Sequence, residues 1–555
     1  MNAKKKFDHS NDLVLLPLGG VGEIGMNCYC YGIGPAETRE WLMVDLGVKF
    51  GDENEPGIDV VLPELGYIIG ERRRLSGLVL THAHEDHLGA VAWLWPQLNC
   101  PIYCTPFAAE ILAGKLKERG LDEEVPVHVK PLGSRFEVGS FSVEFVSVTH
   151  SIPEPAALLI ETKQGRVLHS GDWKIDRTPQ MGGHFDEKRF REIGEMGVDA
   201  LVCDSTNVFR EGFSVSEADV AATLDRIVSE ARNRIAITTF ASHVERISSA
   251  VRAARRAGRE VVIAGRAMRQ TIEAARACGY LRDAGAFLEE EAFGYLPPDK
   301  IMLLCTGSQG EPRAAIARIA EDNHPSIALD DGDLVVFSSK TIPGNEKAVS
   351  AVHNNLARLG IDVITSDDAL VHTSGHPRQD ELKLVYGMLK PRALIPMHGE
   401  PRHLLRHMEL GEEAGIEETV MAENGDVIRL CPGPVQIVDK APSGRLHVDG
   451  KLIVPALEGP AKYRRKLSFV GIVVASLVVD RKGTLVSDIE IIADGLPAGL
   501  EERLRDAAET AFDSLPRPRR ASDDTLTETL RTAIRRAADA EWGKKPICRI
   551  LLHRL

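Results

Sequence analysis

The chain has 555 residues, 43% of them hydrophobic and 27% charged, an ordinary balance for a globular protein. At about 100–200 residues per domain its length accommodates three or four domains. No apolar run approaches the ~18 residues of a membrane span, and Leu13–Leu18, behind the basic Met1–Phe7, is too short for a signal peptide. Nine scattered cysteines, an odd number without a Cys-x-x-Cys pair, argue against a disulfide framework and a zinc ribbon, so the cytoplasm is the expected compartment. The net charge of −14 argues against coating polyanions by bulk charge, but it is uneven. Ala461–Leu555 carries 18 Lys/Arg against 14 Asp/Glu, or +4, which leaves −18 for the first 460 residues.

Short apolar runs closed by polar residues recur along the first half, in the pattern of buried strands. Trp41–Val44 runs into Asp45, Leu75–Leu80 into Thr81 and a histidine cluster, and Val143–Val148 into His150. Arg166–Leu168 leads to Asp172, Ala200–Cys203 to Asp204 and Ala393–Pro396 to His398. Side chains at the ends of such strands converge on one edge of a sheet, where α/β proteins place their sites.

Between 213 and 368 the pattern becomes strand–helix alternation, opened by Ser216 as the N-cap of a helix through Arg232. Strands are expected at Arg234–Phe240, Val261–Ala264, Ile301–Cys305, Leu334–Ser338 and Asp362–Thr365, separated by helices, which implies a parallel, doubly wound unit inserted into the first domain. The first domain, residues 1–212, resumes over 369–435. A loosely patterned stretch rich in Pro and Gly, 436–465, reads as a linker. Residues 466–555 read as a small α+β domain: strands Leu467–Val479 and Leu485–Ile492 joined by the turn Asp480–Gly483, helices Leu500–Leu515 and Asp524–Trp542, and a last strand Ile547–Leu552.

The segment His82-Ala-His84-Glu-Asp86-His87 carries the chemistry. Imidazole and carboxylate suit Zn²⁺, and crowding them is costly without a cation. Four donors within six residues cannot all face one ion, so His82 and His84 point to one metal and Asp86 and His87 to a second. His150, Asp172 and His398 are available to complete both.

The pattern His82-x-His84-x-Asp86-His87, with His150 and Asp172 downstream, resembles the signature of the metallo-β-lactamase superfamily. The α/β insertion, Asp204 and two later histidines resemble its β-CASP branch. Gly19–Asn27, Thr81–His87, His169–Asp172, His372-Thr-Ser-Gly-His376 and Pro396–Glu400 are similar to the bacterial ribonuclease J family. The resemblance implies a metallo-β-lactamase αββα sandwich with an inserted parallel β-CASP domain and a small C-terminal α+β domain.

It further implies that His82, His84 and His150 bind one zinc and Asp86, His87 and His398 another, with Asp172 bridging and Mn²⁺ or Mg²⁺ as replacements in the cell. Asp86, Asp172, Asp204 and His376 form the expected catalytic set, with Asp45 and Asp204 orienting the ligands. His372, Thr373, Ser374, Gly375 and His376 are expected to hold substrate phosphate, with His376 stabilising the transition state or protonating the leaving oxygen. Ser242, His243 and Arg246, at a helix start, are expected to meet a 5′-monophosphate. The turns Gly265–Met268 and Thr306–Gly310 occupy analogous places, and Gly20-x-Gly22-x-x-Gly25 only superficially matches a dinucleotide fingerprint.

The implied activity is 5′-to-3′ exonucleolytic and internal cleavage of single-stranded RNA in RNA maturation and decay. The implied assembly is a homodimer or homotetramer, alone or with other RNA-decay factors, away from membranes. A DNA-processing β-CASP nuclease and a non-catalytic RNA-binding scaffold are the alternative readings. Two divalent ions would add about +4 where phosphate must sit, which removes the objection from net charge.

Overall fold

The computed structural model describes residues 11–555, so the basic Met1–Phe7 lies outside the described residues. The described residues form two compact units, one running up to Lys49 and over Val61–Arg445, the other of Phe50–Val60 and Leu446–Leu555. No helix among the described residues is long and apolar enough to cross a membrane.

In the first unit two large sheets face one another. The eight-stranded sheet runs in the order Gln436–Lys440, Asp426–Cys431, Leu13–Gly19, Cys28–Ile33, Glu40–Val44, Leu75–Val79, Ile102–Cys104 and Val127–Val129. The seven-stranded sheet is ordered Glu418–Thr419, Ala393–Met397, Ala200–Asp204, Arg166–His169, Ala156–Glu161, Phe141–Ser147 and Arg135–Val138. The two-residue side-chain period sorts the second sheet's faces. Ala200, Val202, Leu158 and Ile160 join Leu15, Tyr31, Leu42 and Val44 of the first sheet in the inner core. The intervening Leu201, Cys203, Ala157 and Leu159 pack outward under Phe190, Ile193, Leu382, Val385 and Leu410 of three covering helices. On the other side, helices Val91–Leu98 and Pro106–Arg119 join parallel strands of the first sheet.

Parallel pairing decides where the polar strand ends meet. Arg166–His169, Ala200–Asp204 and Ala393–Met397 run parallel, as do Glu40–Val44 and Leu75–Val79. Their carboxyl ends deliver Asp172, Asp204 and His398 from one sheet, and Asp45 and the His82–His87 segment from the other.

The inserted segment forms a wholly parallel five-stranded sheet, ordered Glu260–Ala264, Ile301–Cys305, Ile235–Thr238, Leu334–Phe337 and Asp362–Ile364. Ser216 caps the first helix, Glu217–Glu230, its side chain accepting from the Ala218 N–H.

In the second unit, Ile472–Val479 pairs antiparallel with Glu490–Asp494 and parallel with Ile547–Arg554. Helices Leu500–Ser514 and Asp523–Trp542 cover one face, packing Leu504, Ala508, Phe512, Leu526 and Leu530 against Val473, Ala475 and Leu477. The expected turn is present: Asp480 Oδ1 accepts from the Lys482 and Thr484 N–H groups, each at 2.8 Å.

Three expectations fail here. The expected linker is ordered: Gln436–Lys440 pairs with Asp426–Cys431, and Arg445–Asp449 forms a hairpin with Leu452–Pro455 around Gly450. These strands are too short, and too close to Pro and Gly, to show a period. Leu467–Val470 is the last turn of a helix, Ala461–Val470, and not part of a strand. Gly471, at φ +60°, ends that helix, and the strand starts one residue later. The second strand begins at Glu490, while Leu485 makes only a single bridge to Val479.

Candidate metal centre

The short helix Glu85–Leu88 follows the strand Leu75–Val79 and carries Asp86 and His87 into a groove between two backbone loops. The Asn27 N–H donates to the Asp86 carbonyl at 2.9 Å and the Leu46 N–H to the His87 carbonyl at 2.7 Å. Gly47 is required here, because a Cβ would lie 1.7 Å from the Asp86 carbonyl oxygen.

Two ligand groups result. His82, His84, His150 and Asp172 bring donor atoms together in one, and Asp86, His87, Asp172 and His398 in the other. In the first, His82 Nε2 and His150 Nε2 each lie 3.1 Å from His84 Nδ1, and 3.9 and 3.8 Å from Asp172 Oδ2. In the second, His87 Nε2 is 3.1 Å from Asp172 Oδ2 and 3.6 Å from Asp86 Oδ2, and His398 Nε2 is 3.7 Å from Asp86 Oδ2.

Four of the five ligand histidines are held through their other ring nitrogen. Asp45 Oδ2 sits 2.7 Å from His87 Nδ1 and accepts from the Thr81 hydroxyl at 2.8 Å, and that hydroxyl lies 2.9 Å from His82 Nδ1. The Gly375 carbonyl is 2.6 Å from His150 Nδ1, and Asn27 Oδ1 is 2.9 Å from His398 Nδ1. Gly375 lies so close that a Cβ would stand 2.5 Å from the His150 ring.

The charge states suit a cation. Burial holds the imidazoles of His82 and His150 well below their usual value and brings His84 to about 4, so these rings are neutral with free lone pairs. Burial opposes ionisation of Asp172, but His398 and His87 outweigh it and hold the carboxyl well below its usual range. Asp172 Oδ1 is buried without a hydrogen-bond partner, an arrangement that a bound cation relieves. Neutral imidazoles and carboxylates, three or four to a group, are the donor set of catalytic zinc.

Beside these groups Asp204, Asp172 and His376 form a third cluster. His376 Nδ1 is 2.7 Å from Asp204 Oδ2, and the ring remains partly exposed. Burial disfavours its imidazolium, but Asp204 outweighs this and raises it to about 9. Within the same loop the Thr373 hydroxyl donates to the Val215 carbonyl, and the Ser374 hydroxyl accepts from Asn207 Nδ2 at 2.8 Å. These two hydroxyls therefore fasten the loop. His372 is half-buried with an unpartnered Nδ1.

The expected phosphate contacts of His243 and Arg246 are not supported. Arg246 is fully buried, and its guanidinium donates to both oxygens of Glu217 at 2.8–3.1 Å, to the Ser338 hydroxyl at 2.7 Å and carbonyl at 3.1 Å, and to the Val371 carbonyl at 2.8 Å. Its fork has no donor left for a ligand. His243 is also buried, 3.2 Å from Glu217 through Nε2, and caps the helix Val244–Arg256. Ser242 is half-buried with no such commitment.

Asn27 is a further residue of the site, one that the sequence does not single out. Its amide lies 2.9 Å from both His398 Nδ1 and His87 Nε2, and its Oδ1 accepts from the Tyr29 hydroxyl at 2.8 Å. One Asn in a glycine-rich loop carries no spacing signal. Asp45→Ala, which releases His87 and Thr81 together, is expected to lower metal affinity and activity about 10–100-fold, measured by chelator competition and by rate.

A β-sandwich with two His/Asp groups at its strand ends and an inserted parallel domain defines a metallo-hydrolase of the metallo-β-lactamase class. Family models agree: a beta-lactamase superfamily domain matches residues 56–264, the ribonuclease J beta-CASP domain 232–356, a Zn-dependent metallo-hydrolase RNA specificity domain 360–422 and the ribonuclease J C-terminal domain 462–555. The chain belongs to the ribonuclease J family. It is 47% identical over 558 residues to Ribonuclease J of Sinorhizobium meliloti, covering 99% of each chain. It is 37% identical to that of Corynebacterium glutamicum, covering 97% of this chain and 75% of that one, and 35% identical to that of Thermus thermophilus, covering 90% and 88%. A crystal structure of a protein of unknown function from Enterococcus faecalis shares the fold, with a TM-score of 0.52 and 18% identity over 75% of this chain and 100% of that one.

Proposed function

We propose that this chain is a metal-dependent ribonuclease that hydrolyses phosphodiester bonds of single-stranded RNA, stepping from the 5′ end and also cutting internally. The observation that carries the reading is the pair of His/Asp groups sharing Asp172, with His376 and Asp204 against them. In this reading His82, His84 and His150 hold one divalent cation, Asp86, His87 and His398 a second, and Asp172 both, with zinc the favoured ion. Two such cations supply a lowered pKa for water and neutralise charge growing on the phosphoryl oxygens.

The chain's own residues do the rest. Asp45, Asn27 and the Gly375 carbonyl fix the direction of the ligand rings. Asp204 accepts from His376 Nδ1, which leaves Nε2 to give a proton to the departing ribose oxygen. Ser242 and the His372 ring are the groups left to meet a 5′-phosphate. The domain limits proposed are 1–212 and 369–435 for the two parts of the metal-binding domain, 213–368 for the insertion and 466–555 for a C-terminal domain that assembles dimers or tetramers in the cytoplasm.

The test is time-resolved digestion of one RNA labelled at either end, with its 5′ group a monophosphate or a triphosphate and a matched DNA strand alongside. The expected result is release of the 5′ label as a mononucleotide, fastest from the monophosphate, with DNA spared. His87→Ala should fold and leave the RNA intact. Equal rates on both 5′ groups would remove the 5′-phosphate pocket, and full activity of the His87 variant would remove the mechanism.

A further inference from the structure

The chain is poor in aromatic residues, at 5%, yet two half-exposed phenylalanines stand within five residues of each other immediately after Asp204. Phe209 and Phe213 each keep 49% of their surface open. The segment that bears them is tied to the candidate metal centre. The Thr206 hydroxyl donates to the His398 carbonyl at 3.1 Å, and Asn207 Nδ2 donates to the His376 carbonyl at 3.0 Å. On its far side the Arg210 carbonyl accepts from the Gln379 N–H at 2.9 Å, the Gly212 carbonyl from the Asp380 N–H at 3.2 Å, and the Ser214 hydroxyl donates to Glu381 at 2.7 Å.

The tip is thus held in place, and its rings stay exposed while its backbone is pinned. Phe209 rests against the His403 ring in an edge contact, with centroids 5.2 Å apart at 63°, while about half of its surface stays exposed. Cations gather alongside: Arg210 and Lys340 are exposed and Arg378 is half-buried. They lie close enough that, after burial, the Arg210 guanidinium is the next cause holding the Lys340 ammonium down, with Arg378 adding and Asp367 opposing.

We propose that Phe209 and Phe213 are a stacking platform for the unpaired bases of single-stranded RNA, with Arg210, Lys340 and Arg378 taking its phosphates. The proposal rests on the ribonuclease reading above and deepens it. Aromatic faces accept any base, and cations beside them track the backbone without reading sequence. A duplex keeps its bases stacked on one another and cannot use the platform, so these residues select single strands.

The experiment compares the parent with Phe209→Ala, Phe213→Ala and Phe209→Trp in steady-state cleavage of a single-stranded RNA, and repeats it with single abasic positions scanned along the strand. Each alanine variant is expected to raise KM about tenfold, with kcat within about twofold, because the platform binds ground and transition states alike. Phe209→Trp should keep the parent KM and shows that the position tolerates substitution. One abasic position should raise KM in the parent and have no further effect in the Phe209→Ala variant. Parent-like KM in both alanine variants would overturn the platform while leaving the ribonuclease reading intact. Rescue by a Phe209→Leu variant as complete as by Phe209→Trp would also overturn it, because apolar contact without a stacking ring would then account for the effect. A parent that leaves RNA uncut is a failure of the underlying function, and is read before any variant.

Discussion

Asp172→Asn should abolish cleavage and strip both ligand groups, although the replacement keeps the shape of the side chain. Asp172 is the one residue common to both groups, and it faces His82, His87, His150 and His398 across 3.1–3.9 Å. An amide is a neutral, weaker donor, and on the two-cation reading proposed above it would not neutralise the charge on either side. The loss in rate is expected to be at least about 1,000-fold, since the charge stabilisation given up is several kcal/mol. Metal content measured beside single-turnover cleavage checks it. The buried position keeps its volume, so the variant should remain folded, and a variant that retained its full metal complement would sink the bridging role.

The second large effect is on stability. Arg246→Met should destabilise the protein by about 3–5 kcal/mol, because it leaves the Glu217 carboxylate buried without its main partner. Glu217 is 1% exposed, and burial opposes its ionisation, but Arg246 first and His243 next hold it well below the usual carboxylate range. A carboxyl whose folded pKa is depressed contributes stability above its unfolded value of about 4.3, and this is lost as pH falls through the folded value. In the variant, burial acts on Glu217 with only His243 and Lys174 left to oppose it, so the carboxyl is expected to take a proton more readily on acidification than in the parent. The stability gap between parent and variant is therefore expected to narrow as pH is lowered from 7 toward 5, read by denaturant unfolding. The companion Glu217→Gln should cost less, because an amide still accepts hydrogen bonds from the guanidinium. A constant gap across that range would show that the charge at Glu217 is not the cause.

The two phenotypes also mark what could be read from residue order. His82, His84, Asp86 and His87 announce themselves because six residues carry four donors, and a strand end explains His150, Asp172, Asp204 and His398. The convergence of these strand ends on one sheet edge is what the apolar runs closed by polar residues imply, while the parallel pairing that brings them together is seen only in the structure. The fate of Arg246 was not legible: an arginine one turn into a helix looks the same whether it faces phosphate or a buried glutamate over two dozen positions earlier. Asn27 was hidden for a related reason, since its importance lies in reaching His398 from the other end of the chain. In the second unit Leu467–Val470 continues the apolar character of the following strand, and only the backbone of Gly471 separates the two.

The insertion has a bearing on how the metal centre comes into being. His82, His84, His150 and Asp172 are all made before residue 173, whereas Asp86 and His87 wait for His398, 226 residues after Asp172 (398 − 172). At about 5–20 residues per second of synthesis that interval is about 11–45 s. Throughout it a nascent chain owns all four residues of one group and three of the four of the other, lacking only His398. On the two-cation reading proposed above, the first group would be complete before the inserted sheet is made, and the second only once the chain has returned to the sandwich with His398.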